Sequence, residues 1–354
     1  MKKTLFISLA SLALVSCSQD ETVATMDRAA IEFDKVFIEN STSSRASTDI
    51  TSANLTDFAV YGSVVKGEQK GNIFKKQKVA GTQAGGYTYS PAQYWIPSAS
   101  YHFTAIAPYE GAKWTYTCKA EDESEYGTRQ AQFGTITFDN HSAGAEQDLL
   151  WAYKTATTAA SFTQKPEAIG FSFQHMLSRA KFTFKNGFAK GSNISLKVKN
   201  VTITNAHKVG SIELNGSNLP VAWTVAESTT ENPNTFERNF GDAGTETNYG
   251  PQTSGTTVHY YLIPVVNANY KIEFTIDLYQ AGVLLLENIQ KTADIIGFDM
   301  KRGYSYEFKA ELNASNTSND GALEAIEFKV TGVKDWENYT NVDANINTQT
   351  SGNN

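Results

Sequence analysis

Residues 271–279 read Lys-Ile-Glu-Phe-Thr-Ile-Asp-Leu-Tyr, and in them Ile272, Phe274, Ile276 and Leu278 alternate with Glu273, Thr275 and Asp277. An extended chain sends successive side chains to opposite faces, so this spacing gathers the four apolar groups on one side of a strand. A helix would scatter them around its axis. The stretch is therefore read as a half-buried β-strand.

The same period recurs on both sides of it. It is found in Phe58–Tyr61, Tyr101–Ala107, Phe133–Phe138, Phe171–Phe173, Lys181–Lys185, Leu196–Thr204, Val258–Ile263, Tyr304–Ala310 and Ile326–Val330. No long stretch keeps helical spacing, so the fold class is all-β and sandwiches are favoured. The 354 residues exceed what one core usually serves, which predicts two domains. Thr155 to Pro166 is rich in Thr, Ala and Ser and ends in a strand-stopping proline, so the boundary is drawn there. This gives one sandwich over 46–160 and another over 161–338. Glu227 to Gly255 is longer than a usual strand connection and is read as either a disordered insertion or a functional loop. Gly81 to Gly86 reads as a hairpin turn.

The start of the chain is a targeting segment. Lys2 and Lys3 precede the short apolar run Leu5 to Val15, which is too brief to span a bilayer. Leu14-Val15-Ser16-Cys17 resembles a lipobox, so residues 1–16 are expected to be removed and Cys17 to be lipidated. Two or more acyl chains would hold the product at the outer membrane. Ser18-Gln19-Asp20-Glu21 is either a surface-export signal or a polar tether. The only other cysteine is Cys118, so no disulfide framework is expected. Net charge is −7 and loss of Lys2 and Lys3 lowers it by two, with no basic block, which argues against a nucleic-acid partner.

Residues 17–45 combine a tether with a further strand. Ala30 to Asn40 carries Ile31, Phe33, Val36, Phe37 and Ile38, and an apolar strand of this kind should not be left exposed. Ser41 to Thr48 follows, rich in hydroxyls with Arg45-Ala46 in its middle, a composition that proteases cut. Arg28-Ala29 is a second cuttable pair, but a cut there would leave the apolar strand attached. At the other end, residues 339–354 place Val342, Ala344 and Ile346 on one side of an extended chain, with Asn341, Asp343, Asn345 and Asn347 on the other. Asn is a poor strand former, so a loose terminus accounts for this tail as readily as a strand.

Chemistry-bearing constellations are sparse. His102, His141, His175, His207 and His259 stand singly, with no ligand spacing for a metal, and His175 is expected to be a satisfied polar group in a strand. No nucleophile elbow, phosphate loop or dinucleotide fingerprint follows a strand, so no cofactor and no enzymatic activity is expected. Glu121, Asp122, Glu123 and Glu125 read as a solvated loop. Trp95, Trp114, Trp151, Trp223 and Trp336 are assigned to packing, with Tyr87, Tyr89, Tyr94 and Trp95 as the cluster to watch for glycan binding.

Several blocks, in order, resemble the fimbrillin family, the pilins of type V fimbriae. They are Phe58-Ala59-Val60-Tyr61-Gly62, Tyr94-Trp95-Ile96-Pro97, Phe103 to Pro108, Asp148 to Ala152, Phe171 to Ala180, Tyr261-Leu262-Ile263-Pro264 and Arg302 to Tyr306. The resemblance implies two transthyretin-like β-sandwich domains in tandem, export as a lipoprotein and proteolytic removal of an N-terminal strand after an arginine. It also implies polymerisation by strand exchange. On that footing Arg45 is the cut site, Ile31 to Ile38 the removable strand, and Val342, Ala344 and Ile346 the donor strand for a neighbour. The partners are then other fimbrial subunits, with a host protein or glycan as receptor. The competing reading is a monomeric surface lipoprotein that binds glycans.

Overall fold

The computed structural model describes residues 29–38, 50–120, 129–143, 147–217, 219–220, 223–230, 233–244, 248–317 and 325–334. These are arranged as four sheets with two four-residue helical turns, so the all-β expectation holds. The first sheet has the order β1 (Phe37–Ile38), β9 (Ser172–His175), β8 (Leu150–Thr157), β5 (Ser100–Ala107), β2 (Asp57–Lys66), β3 (Gln69–Thr82), β4 (Gly86–Thr88). A second runs β13 (Thr224–Val225), β12 (Val209–Asn215), β7 (Arg129–Asp139), β6 (Trp114–Ala120). A third runs β14 (Thr235–Asn239), β11 (Ile194–His207), β17 (Ala268–Gln280), β18 (Val283–Phe298). The fourth runs β15 (Ser254–Thr256), β10 (Ser178–Asn186), β19 (Tyr304–Leu312), β20 (Lys329–Lys334), with β16 (Tyr260–Leu262) also on β10.

The stretch 271–279 is β17, with Ile272, Phe274, Ile276 and Leu278 all buried. It is paired on both sides, with β11 and with β18. The third and fourth sheets share a core in which Phe182 contacts Phe240, Phe308 and Phe328, and Phe184 contacts Phe274.

Alternation along β2 explains how the seven-stranded sheet uses both faces. Phe58 and Val60 point into one apolar cluster, whereas Ala59 and Tyr61 join the other. The second face packs on the second sheet through Ile106, Trp151, Tyr116, Ile136 and Phe138. That second sheet draws β6 and β7 from the first half of the chain and β12 and β13 from the second. Its β7–β12 ladder runs from Val209 opposite Asp139 to Asn215 opposite Phe133.

Two stretches differ from expectation in instructive ways. β9 pairs with β8 and β1, so residues 172–175 belong to the first sheet although they lie beyond the boundary drawn at 161. His175, at the end of β9, belongs to a buried pair in which its Nδ1 lies 2.9 Å from Asp148 Oδ2. The polar stretch 227–255 is not an insertion standing apart. It contains β14 and the start of β15, buries Arg238, Phe240 and Ala243, and crosses from the third sheet to the fourth. Its composition is polar because only one side of a thin cover meets the core. Gly81–Gly86 forms the β3–β4 turn as read.

Candidate functional site

The seven-stranded sheet is curled, and the chain's own residues 29–38 lie between its two free margins. Near the segment's start, Trp95 N–H donates to Ala29 O at 2.9 Å and Ile31 N–H to Gln93 O at 2.8 Å. From Glu32 onward the partner is the opposite margin. Ile169 N–H donates to Glu32 O at 2.7 Å, Asp34 N–H to Ile169 O at 2.9 Å and Phe37 N–H to Phe171 O at 2.8 Å. Phe33 bridges both margins, antiparallel to Tyr87 and parallel to Ile169. The segment is thus a stave that closes the curled sheet.

Where the ladder gives no partner, side chains supply one. Gln83 Oε1 accepts from Val36 N–H at 3.2 Å and Ser52 Oγ from Ile38 N–H at 3.0 Å. The Tyr89 hydroxyl donates to Ile31 O at 2.8 Å and accepts from Gln93 N–H at 3.1 Å. Lys165 pairs with Glu32 across the surface. Burial raises the Tyr89 and Tyr87 phenols above their ordinary range.

Ile31, Phe33, Val36 and Ile38 are all buried, whereas Phe37 is 63% exposed. Phe33 is the anchor. Its ring stands 5.3 Å from Tyr89, 5.7 Å from Phe74, 5.8 Å from Phe171 and 6.3 Å from Phe58. Gly62 leaves room for this socket, because a Cβ there would come within 2.8 Å of Phe74. If the stave left, the four rings and the margin groups of Gln93, Trp95, Ile169 and Phe171 would be uncovered together.

Of the residues singled out in the sequence, the structure brings Ile31, Phe33, Val36 and Ile38 to one groove and turns Phe37 away from it. Cys17, Arg45, Ala46, Val342, Ala344 and Ile346 lie outside the described residues. The socket residues Phe58, Phe74, Tyr89 and Phe171, and the side-chain acceptors Gln83 and Ser52, were not assigned to this site from sequence. Phe58 and Phe171 stand in blocks quoted above, but a block does not say which strand crosses it.

Tyr87 donates its hydroxyl to Leu55 O, and Trp95 is buried edge-on against Tyr101. Of the four watched aromatics Tyr94 is exposed, Tyr89 is half-buried, and Tyr87 and Trp95 are buried. Among the described residues no three His, Cys, Asp or Glu side chains are grouped to hold a metal, and no helix is long and apolar enough to cross a membrane.

The distinctive site of this all-β chain is a closing segment that fills a groove in its own sheet. The chain belongs to the fimbrillin-like family, whose family model matches residues 44–336 and so begins after the stave. A fimbrial protein from Bacteroides vulgatus has a similar fold, with a TM-score of 0.53 at 15% identity, covering 86% of this chain and 99% of that one. A cell adhesion protein from Bacteroides uniformis matches with a TM-score of 0.45 at 14% identity, covering 87% and 99%. A comparison with curated proteins yields no match.

Proposed function

We propose that this protein is a structural subunit of a cell-surface fimbria, a stalk rather than a tip component, which polymerises by exchanging its N-terminal stave for a strand of a neighbouring subunit. The observation that carries the reading is the stave itself: ten residues, with five buried side chains, fill a groove between two sheet margins and are joined along the chain to the rest of the fold through residues 39–49. Cleavage after Arg45 would leave them held by non-covalent contacts alone. A strand added to a sheet margin gains main-chain hydrogen bonds from the backbone and specificity from its alternate side chains. Family membership supports the fimbrial role.

The reading extends to the ends of the chain. Residues 1–16 direct export, Cys17 carries the lipid that holds the precursor at the outer membrane, and residues 339–354 are the donor. Two tandem sandwiches lie between, with the boundary after His175, where β9 ends. Partners are other copies or other fimbrial subunits, with a host protein or glycan at the exposed surface.

Arg45→Ala tests this. The variant is expected to fold with the stave in place and to give no filaments by electron microscopy, because the groove never opens. Filaments of normal length from Arg45→Ala would overturn the proteolytic gate.

A further inference from the structure

Trp95 carries an unanswered donor. It is 3% exposed, and its indole N–H is sealed from solvent with no hydrogen-bond acceptor. A buried indole N–H ordinarily finds a partner. Beside this one lies a cavity of about 420 Å³, bounded by Trp95, by Lys154 to Thr158 and by residues between Ala159 and Ile169.

The cavity is a wedge opened in the first sheet. Five consecutive residues, Lys154 to Thr158, line it, and successive strand side chains point to opposite faces. One space therefore meets all five only along the edge of the strand. The other edge of β8 is taken by β5 as far as Thr157. On the edge toward the cavity, β9 pairs with Leu150 and Trp151, and among the described residues no strand pairs with β8 beyond them. The chain that could continue this ladder bonds elsewhere, because Ile169 and Phe171 are partners of the stave. β8 and the approach to β9 thus splay apart. Residues 158–168 join them, with Phe162 buried and Lys165 tied to Glu32.

We infer that this wedge is a binding site for a neutral saccharide of one or two rings. An extended peptide is the usual guest of a free strand edge. Here it has no way through, since the β8–β9 ladder bounds one end of the wedge and the connecting loop the other. The volume falls within the roughly 300–1,000 Å³ of small-molecule sites. Its walls carry one cation and one anion, Lys154 and Glu167, so no excess charge selects an ionic guest. Thr155, Thr157, Ser161, Thr163 and Gln164 can both donate and accept, as can the backbone of the free edge. A polyhydroxylated ligand matches such walls, each hydroxyl being donor and acceptor at once, and one at the floor accepts from Trp95 Nε1–H. Of the four aromatics watched for glycan binding, Trp95 is the one that meets this space, and it serves through its N–H rather than as a stacking face. The site gives the glycan receptor named above a place on the subunit and rests on that part of the reading. It does not require the subunit to polymerise.

The uncleaved full chain carrying Arg45→Ala separates this site from filament formation. Glucose, galactose, mannose, N-acetylglucosamine, lactose and maltose are titrated against it, with saturation-transfer NMR as the readout. At least one is expected to bind. Trp95→Phe keeps a ring and removes the donor, and is expected to weaken binding by about three- to tenfold, the fold-change of one net hydrogen bond. Gln164→Ala is expected to do the same, and because Gln164 is exposed its variant keeps the fold even where Trp95→Phe does not. Thr155→Trp fills the exposed edge of the wedge and is expected to abolish binding. No binding by any of these sugars, or affinities unchanged in Gln164→Ala and Thr155→Trp, would overturn the site. Tighter binding of sialic acid than of every neutral sugar would overturn the ligand class. Saccharide binding by a wild-type chain that forms no filaments would contradict the polymer reading and leave this site standing.

Discussion

Phe33 and Phe37 stand four residues apart in one segment and differ in what surrounds them. Phe33 is enclosed by four aromatic rings, whereas Phe37 projects into solvent from a strand of two residues. Truncating the first removes packing that the rigid socket cannot recover, so Phe33→Ala is expected to cost about 3–5 kcal/mol. Phe37→Ser should stay within about 0.5 kcal/mol. Denaturant unfolding of the uncleaved chain measures both, and equal costs would contradict the assignment of the stave's inner face. Beside the end of β9, Asp148 accepts from Leu149 N–H through one oxygen and contacts His175 through the other, both side chains being buried. Asp148→Ala leaves those groups without their acceptor and is expected to cost roughly 1–3 kcal/mol in the same experiment. An unchanged midpoint would show that water replaces the carboxylate there.

As an element, the stave is held by a ladder that changes margin midway and by side-chain acceptors that fill the gaps. Tyr89 is the acceptor and donor at its outer end, and burial holds its phenol above the ordinary 10.0. A folded-state value above the opened-state value favours closure fully while the phenol is protonated in both states. That contribution falls as pH rises through about 10, where the opened state ionises first. Alkaline solution is therefore expected to loosen the stave, read as a change in Trp95 fluorescence, and Tyr89→Phe to reduce the pH dependence. Identical alkaline profiles for the two proteins would remove Tyr89 from the closure. The stave was legible in sequence because Ile31, Phe33, Val36 and Ile38 are apolar in an otherwise polar leader, and β17 because its alternation is strict. What sequence could not convey is partnership. The alternation in Phe171–Phe173 fits any sheet, and only the ladder to β8 assigns it to the first. β12 leaves the second half to pair with β7 for a reason that lies in the complementary faces of Ile212, Leu214, Ile136 and Phe138, not in any local motif. The cover formed by 233–244 was obscured by its polarity, since a strand buried on one side at a sheet edge needs few apolar residues.

For the whole molecule the proposal orders events along the chain: export and lipidation at Cys17, closure by the stave, cleavage after Arg45, and replacement of the stave by a neighbour's tail. Cys17→Ala is expected to abolish acyl labelling and to stop the precursor short of the cell surface, and undiminished labelling would contradict the lipoprotein step. The second sheet ties the two halves together through a seven-residue ladder, so the subunit is expected to bear load as one body while only its stave is exchanged. The most direct test is the intact mass of subunits recovered from purified filaments. The account predicts a chain that begins at Ala46 and lacks residues 29–38. Filament subunits that retain the stave, with Phe33 still on the chain, would contradict it.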